Sequence, residues 1–136
     1  MCVSSPPPFC FNTFCTFLSA ASDIYPCPLE VAENSKDVVL ECRGIAANEQ
    51  VSWQRSKGAT MTDVGACDPL PGSCLSKLPD LMTLSRPSAE VSRLTISSAD
   101  RSLYGAANFT CTTFASSAVT GSSSCPMDVV CEYSVG

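Results

Sequence analysis

Past residue 22 the chain alternates in short apolar and polar runs separated by turn-forming residues. Val38, Leu40 and Cys42 fall on one side of an extended chain, and Val39, Glu41 and Arg43 on the other. That period of two predicts a half-buried strand. Val51 and Trp53 share the inward face of a second strand, and Leu94 and Ile96 that of another across 92–97. Ala107, Phe109 and Cys111 face in while Asn108, Thr110 and Thr112 face out. Met127, Val129, Cys131, Tyr133 and Val135 alternate through a final strand, and residues 81–86 make a short one. Segment 24–31 contains Pro26 and Pro28, which cannot donate to a sheet ladder, so it is placed at a sheet edge. Turns are expected at 34–37 and 98–104, and loops at 44–49 and 121–124. Residues 56–80 give the least regular pattern. Neither an internal repeat nor an amphipathic helix stands out, so the pattern predicts an all-β domain.

Composition narrows the chemistry. The 136 residues suit one domain behind a leader, with a net charge of -5. Lys and Arg are not clustered, which argues against a nucleic-acid surface and against an anionic membrane face. The chain has no histidine, so imidazole-activated Ser or Cys nucleophiles and Cys/His zinc sites are excluded. No C-x-x-C pair is present, so a four-cysteine zinc site has no support. The acidic residues are scattered as solvated surface, without the spacing of paired catalytic carboxylates or a calcium loop. Neither an enzyme nor a cofactor is expected. No apolar run reaches the roughly 20 residues of a membrane helix.

Residues 1–21 differ from the rest, with Phe9, Phe11, Phe14, Phe17 and Leu18 followed by small residues up to Ala21. This reads as a secretory signal peptide cleaved after Ala21, leaving 22–136 as the mature domain, although no basic residue precedes the apolar run. Ten cysteines in so short a chain also point to an oxidising, extracellular setting. Between Cys67 and Cys74 lies Asp68-Pro69-Leu70-Pro71-Gly72-Ser73, a Pro/Gly turn that can bring the two thiols together in a local disulfide.

The order Cys42, Trp53, Cys111 resembles an immunoglobulin domain of variable or intermediate type across about residues 24–135. Ser52-Trp53-Gln54-Arg55, Leu94-Thr95-Ile96 and the aromatic Phe109 two residues before Cys111 carry the same resemblance. It implies an immunoglobulin-like two-sheet Greek-key sandwich, with Cys42 bridged to Cys111 and packed on Trp53. Two departures are visible. Phe109 stands where the family usually has a tyrosine, so the corner hydrogen bond is expected to be absent. Gly105 stands where an aspartate usually pairs with an arginine on the fourth strand, so that pair is expected to be missing although Arg86 is available. The 67–74 loop and the Asp100-Arg101-Ser102-Leu103-Tyr104-Gly105 turn also resemble immunoglobulin domains of secreted molluscan fibrinogen-related immune lectins, without their fibrinogen-like domain.

Removing 1–21 leaves seven cysteines, an odd number. In the resembled fold the first strand runs beside the last, so Cys27 is expected to bridge to Cys131 or Cys125; a local Cys125–Cys131 bridge competes. The thiol left over suggests a disulfide-linked dimer, a missing partner domain or a buried inert cysteine. Asn108-Phe109-Thr110 is an N-glycosylation sequon with Asn108 pointing outward, so a glycan there would shield part of a sheet face. Binding would then fall to loops 44–50, 67–74 and 115–124. The expected function is a secreted recognition module for an extracellular protein or glycan, in adhesion or innate immunity. The alternatives are a truncated ectodomain of a cell-surface receptor, and a protease inhibitor presenting the 67–74 loop.

Overall fold

The computed structural model describes residues 22–69 and 73–131. The expected leader at 1–21, the centre of the 67–74 loop and Tyr133 and Val135 lie outside the described residues. The architecture is an all-β sandwich. One sheet holds four strands in the order β1 (Asp23–Tyr25), β3 (Lys36–Arg43), β8 (Val91–Ser98), β7 (Met82–Ser88). The other holds six, in the order β2 (Leu29–Ala32), β10 (Ala118–Val130), β9 (Ala107–Ala115), β4 (Gln50–Lys57), β5 (Thr60–Cys67), β6 (Cys74–Ser76). The pairing is antiparallel except for β2 beside β10, which is parallel.

The alternation in the sequence becomes the inner faces. Leu40 and Cys42 on β3, Val51 and Trp53 on β4, Leu94 and Ile96 on β8, and Phe109 and Cys111 on β9 are all fully buried. The indole of Trp53 is a polar group in that core, and its Nε1–H donates to Ser92 Oγ at 2.9 Å. Ser92 is itself buried on β8, so a small inward hydroxyl removes the cost of burying the indole N–H.

Four segments differ from the sequence expectation. Stretch 24–31 is not one edge strand: β1 pairs β3 in one sheet, β2 pairs β10 in the other, and the chain crosses over residues 26–28. Both pieces are at edges, as two prolines require. Within the irregular 56–80 stretch runs β5, eight residues paired to β4 and broken by a bulge opposite Trp53 and Gln54. The expected loop at 121–124 is instead the middle of the thirteen-residue β10. The 98–104 turn contains a single helical turn, α1 (Arg101–Tyr104), capped by Asp100, which accepts from Ser102 N at 2.8 Å and Ser102 Oγ at 2.6 Å.

Tyr104 of α1 is fully buried and stacks on Phe109 with ring centroids 6.2 Å apart. Its hydroxyl has no hydrogen-bond partner among the described residues, and burial raises its pKa while the nearby Arg55 charge opposes that shift. Lys57 Nζ donates to Gly105 O at 2.6 Å and ties β4 to this end of the sandwich.

Candidate binding surface at one end of the sandwich

The strand registers bring four connections to one end. Gln50 pairs Phe114, Val51 pairs both Cys67 and Thr113, and Arg43 pairs Val91. The β3–β4 loop (44–49), the β5–β6 connection (68–73), the β7–β8 turn (89–90) and the β9–β10 turn (116–117) therefore share that end. Ile45 N donates to Glu90 O at 3.1 Å, and Glu49 closes the first loop by accepting from Ala46 N through Oε1 at 2.8 Å.

Arg86 joins three of the four. Met82, Leu84 and Arg86 alternate inward on β7, and Arg86 is 1% exposed. Its Nη1 donates to Glu49 O at 2.6 Å and Asp68 O at 2.7 Å. Its Nη2 donates to Ala46 O at 3.1 Å and Ala89 O at 2.6 Å, and Nε reaches Ala89 O at 3.2 Å. Burial pushes the guanidinium pKa down and the Glu49 charge opposes that, but an arginine stays protonated at physiological pH. A planar cation whose donors all meet carbonyls holds separate loops at fixed spacing. The tips of the three connections it joins stay in solvent, with residues 46–48, Asp68, Pro69, Ser73 and Glu90 exposed, as are Ser116 and Ser117 of the fourth.

Beside this end an open hollow of about 360 Å³ is lined by Gln50, Ala66, Asp68, Ser73, Cys74 and Leu75. Leu75, 73% exposed, is the most exposed of the large apolar side chains on the described surface. No group of three or more Cys, Asp and Glu among the described residues is placed to hold a metal ion.

Cys42 is joined to Cys111 across the two sheets, against the buried Trp53, and Cys67 to Cys74 across β5 and β6. Cys27 is joined to Cys125. The alternative of Cys27 with Cys131 is thereby corrected, as is the local Cys125–Cys131 bridge. The inward alternation of Cys125, Met127 and Val129 on β10 turns Cys125 toward the crossover that carries Cys27. Cys131 is also disulfide-bonded, and Arg101 Nη1 donates to its Sγ at 3.8 Å; no described cysteine is a free thiol. Three intrachain disulfides suit an oxidising compartment.

Of the three loops expected to bind, 44–50 and 67–74 meet at this end. The third, 115–124, is corrected to a two-residue turn, because its Ser and Thr side chains belong to paired strands: Thr110 Oγ1 meets Ser124 Oγ at 2.9 Å. Asn108 is exposed on β9. In the sequence Arg86 stands only as an available arginine whose usual aspartate partner is replaced by Gly105. The signal for its role was its place in the Met82, Leu84, Arg86 alternation, which puts a cation where an apolar residue is expected.

No family model and no curated protein matches the chain. Among solved structures, similarity is found to a chain from work on the structural basis of T cell specificity and activation by the bacterial superantigen toxic shock syndrome toxin-1. The two share 17% identity over 82% of this chain and 99% of that one, with a TM-score of 0.67. At that identity the likeness concerns the fold alone. Among the described residues no helix is long and apolar enough to cross a membrane.

Proposed function

We propose that this chain is a variable-type immunoglobulin domain acting as a secreted recognition module, binding an extracellular protein or glycan with the loop end organised by Arg86. The strand orders support the first part. β1-β3-β8-β7 corresponds to strands A, B, E and D of that fold, and β10-β9-β4-β5-β6 to G, F, C, C′ and C″. The inter-sheet disulfide against Trp53 is the accompanying core feature. In this topology the loops at 44–49, 68–73 and 116–117 occupy the end that variable domains use for recognition.

The observation that carries the binding reading is the Arg86 clamp. Loops whose backbones are fixed before a partner arrives lose less conformational freedom on binding, so more of the contact energy appears as affinity. Adhesion or innate defence is the setting that fits a disulfide-bonded domain whose organised feature is a set of fixed loops. The test is to screen the secreted chain against arrayed glycans and a library of extracellular proteins. Binding is expected to be lost in Asn48→Arg/Asp68→Arg and kept in Thr83→Arg on the opposite sheet. Binding that survives the first pair and fails with the second would move the site away from the loop end.

A further inference from the structure

The outer face of the six-stranded sheet is unusual for a solvent-facing surface. The outward positions of β4 from 50 to 56, β9 from 108 to 114 and β10 from 122 to 126 carry Ser, Thr, Gln and Asn with one Phe and one Pro. None of these central positions is charged, although the chain has 21 charged residues (8 basic and 13 acidic); charge enters this face at its margins, through Asp128 on β10 beside Glu30 on β2 and through Asp63 on β5 opposite Gln54. An uncharged, regular sheet face lacks the like-charge repulsion that keeps copies of a protein apart. Met61 and Leu75 stand exposed at its margin on β5 and β6.

Asn108 stands on this face, exposed, with the small Ser56 and Pro126 as its cross-strand neighbours. Its side chain makes no hydrogen bond with described residues. Phe109 points inward and is fully buried, so Asn108 and Thr110 face solvent together as an Asn-x-Thr acceptor.

We infer that Asn108 carries an N-linked oligosaccharide and that this sugar is the cover of the uncharged face, keeping it from pairing with a second copy of the chain. In the transfer, Asn108 Nδ2 bonds to the anomeric carbon of a lipid-pyrophosphate-linked oligosaccharide. The carbon–oxygen bond to the pyrophosphate breaks, the amide nitrogen gives up one proton, and the lipid pyrophosphate leaves. The sugar supplies bulk and hydration over the middle of the sheet, where no charge stands. This inference rests on the secretory reading, because the donor lipid is met in the secretory lumen.

The experiment expresses the full chain in eukaryotic cells, with its own N-terminus and with an independent secretory leader appended, and examines cells and medium together. Removal of N-glycans by an amidase is expected to sharpen and speed the band, with no effect on Asn108→Gln or Thr110→Val. Asn108→Gln is expected to shift from monomer toward dimer by size exclusion, and Asn108→Gln/Thr112→Lys to return to monomer. A folded chain secreted by the appended leader with Asn108 unmodified would overturn the site. Glycosylation with a monomeric Asn108→Gln would overturn its covering role. Glycosylation only behind the appended leader supports the site while removing the secretory reading of residues 1–21.

Discussion

Arg86 is worth more to this domain than its charge. Its five hydrogen bonds go to carbonyl oxygens of Ala46, Glu49, Asp68 and Ala89, in segments far apart in sequence. Taking away such a donor leaves the buried Glu49 carbonyl and three part-buried carbonyls unpaired, a loss of about 1–3 kcal/mol for an acceptor that stays buried. Arg86→Met is expected to cost that much in urea unfolding. Arg86→Lys should recover only part, because an ammonium cannot present the same planar fork. Amide exchange in Arg86→Lys should quicken at 44–49 and 89–90 more than in β3 and β9; a uniform rise would mean that the residue supports the core rather than the loops. A second charged site behaves differently. Glu41 takes Arg43 at 2.9 Å and Arg93 at 3.0 Å on the solvent side of the four-stranded sheet. The hydrogen bonds from Arg43 and then Arg93 hold its carboxyl below the ordinary 4.5. A depressed folded pKa contributes stability that is full above the unfolded value and is lost as pH falls through the folded one. The stability gap between the wild type and Glu41→Gln should therefore shrink as pH drops below about 4.5. A gap that is flat with pH would show that the exposed arginines contribute nothing measurable.

At the scale of single elements, local chemistry explains both what was hidden in the sequence and how to perturb it. The β9–β10 hairpin turns on Ser116 and Ser117, with φ of 52° and 70°. Positive φ at both central residues is what a type I′ hairpin turn requires, and Asn-Gly is its usual signature. Ser-Ser gives no such signal, so the sequence read a long loop where the chain in fact reverses in two residues. Ser116→Asn/Ser117→Gly is expected to stabilise by about 0.5–1 kcal/mol, seen as a higher melting temperature. No change would show that the turn is already relaxed. β5 was hidden for another reason. Its bulge shifts the inward positions to Val64, Gly65 and Cys67, so no clean alternation survives. Gly65 has φ of 146°, and a Cβ there would collide with the Leu75 carbonyl and with Leu84 Cδ1. Gly65→Ala is expected to destabilise by about 1–3 kcal/mol, most of it as fraying of β5 and β6. A neutral Gly65→Ala would mean that this strand gives way easily. By contrast β3, β4, β8 and β9 were legible because each alternates at least two large apolar or cysteine residues toward the core.

At the scale of the whole molecule, the sheets are held by links that join distant parts of the chain, and here the sequence spoke unevenly. The period-two strands and the Cys42, Trp53, Cys111 order pointed to a two-sheet sandwich. The partner of Cys27 stayed open, because Cys125 and Cys131 are six residues apart and only the facing of β10 separates them. The bridge that formed, Cys27–Cys125, spans 98 residues; Cys42–Cys111 spans 69 and Cys67–Cys74 only 7. In the chain-entropy account a crosslink limits the unfolded state in proportion to the logarithm of the loop it closes. That gives about 4–5 kcal/mol for each long bridge and about 2 kcal/mol for the short one. Alanine pairs should therefore rank clearly in denaturant midpoint: Cys67→Ala/Cys74→Ala mildest, Cys27→Ala/Cys125→Ala worse, and Cys42→Ala/Cys111→Ala worst. The last pair loses more than entropy, since both sulfurs are fully buried in the core beside Trp53 and their removal leaves a void there. Non-reducing peptide maps of the wild type should show the same three links. If the short bridge proved the costliest to remove, the 67–74 connection would be holding the β5–β6 edge in place, and the sandwich could not be read as two sheets closed mainly by their long-range crosslinks.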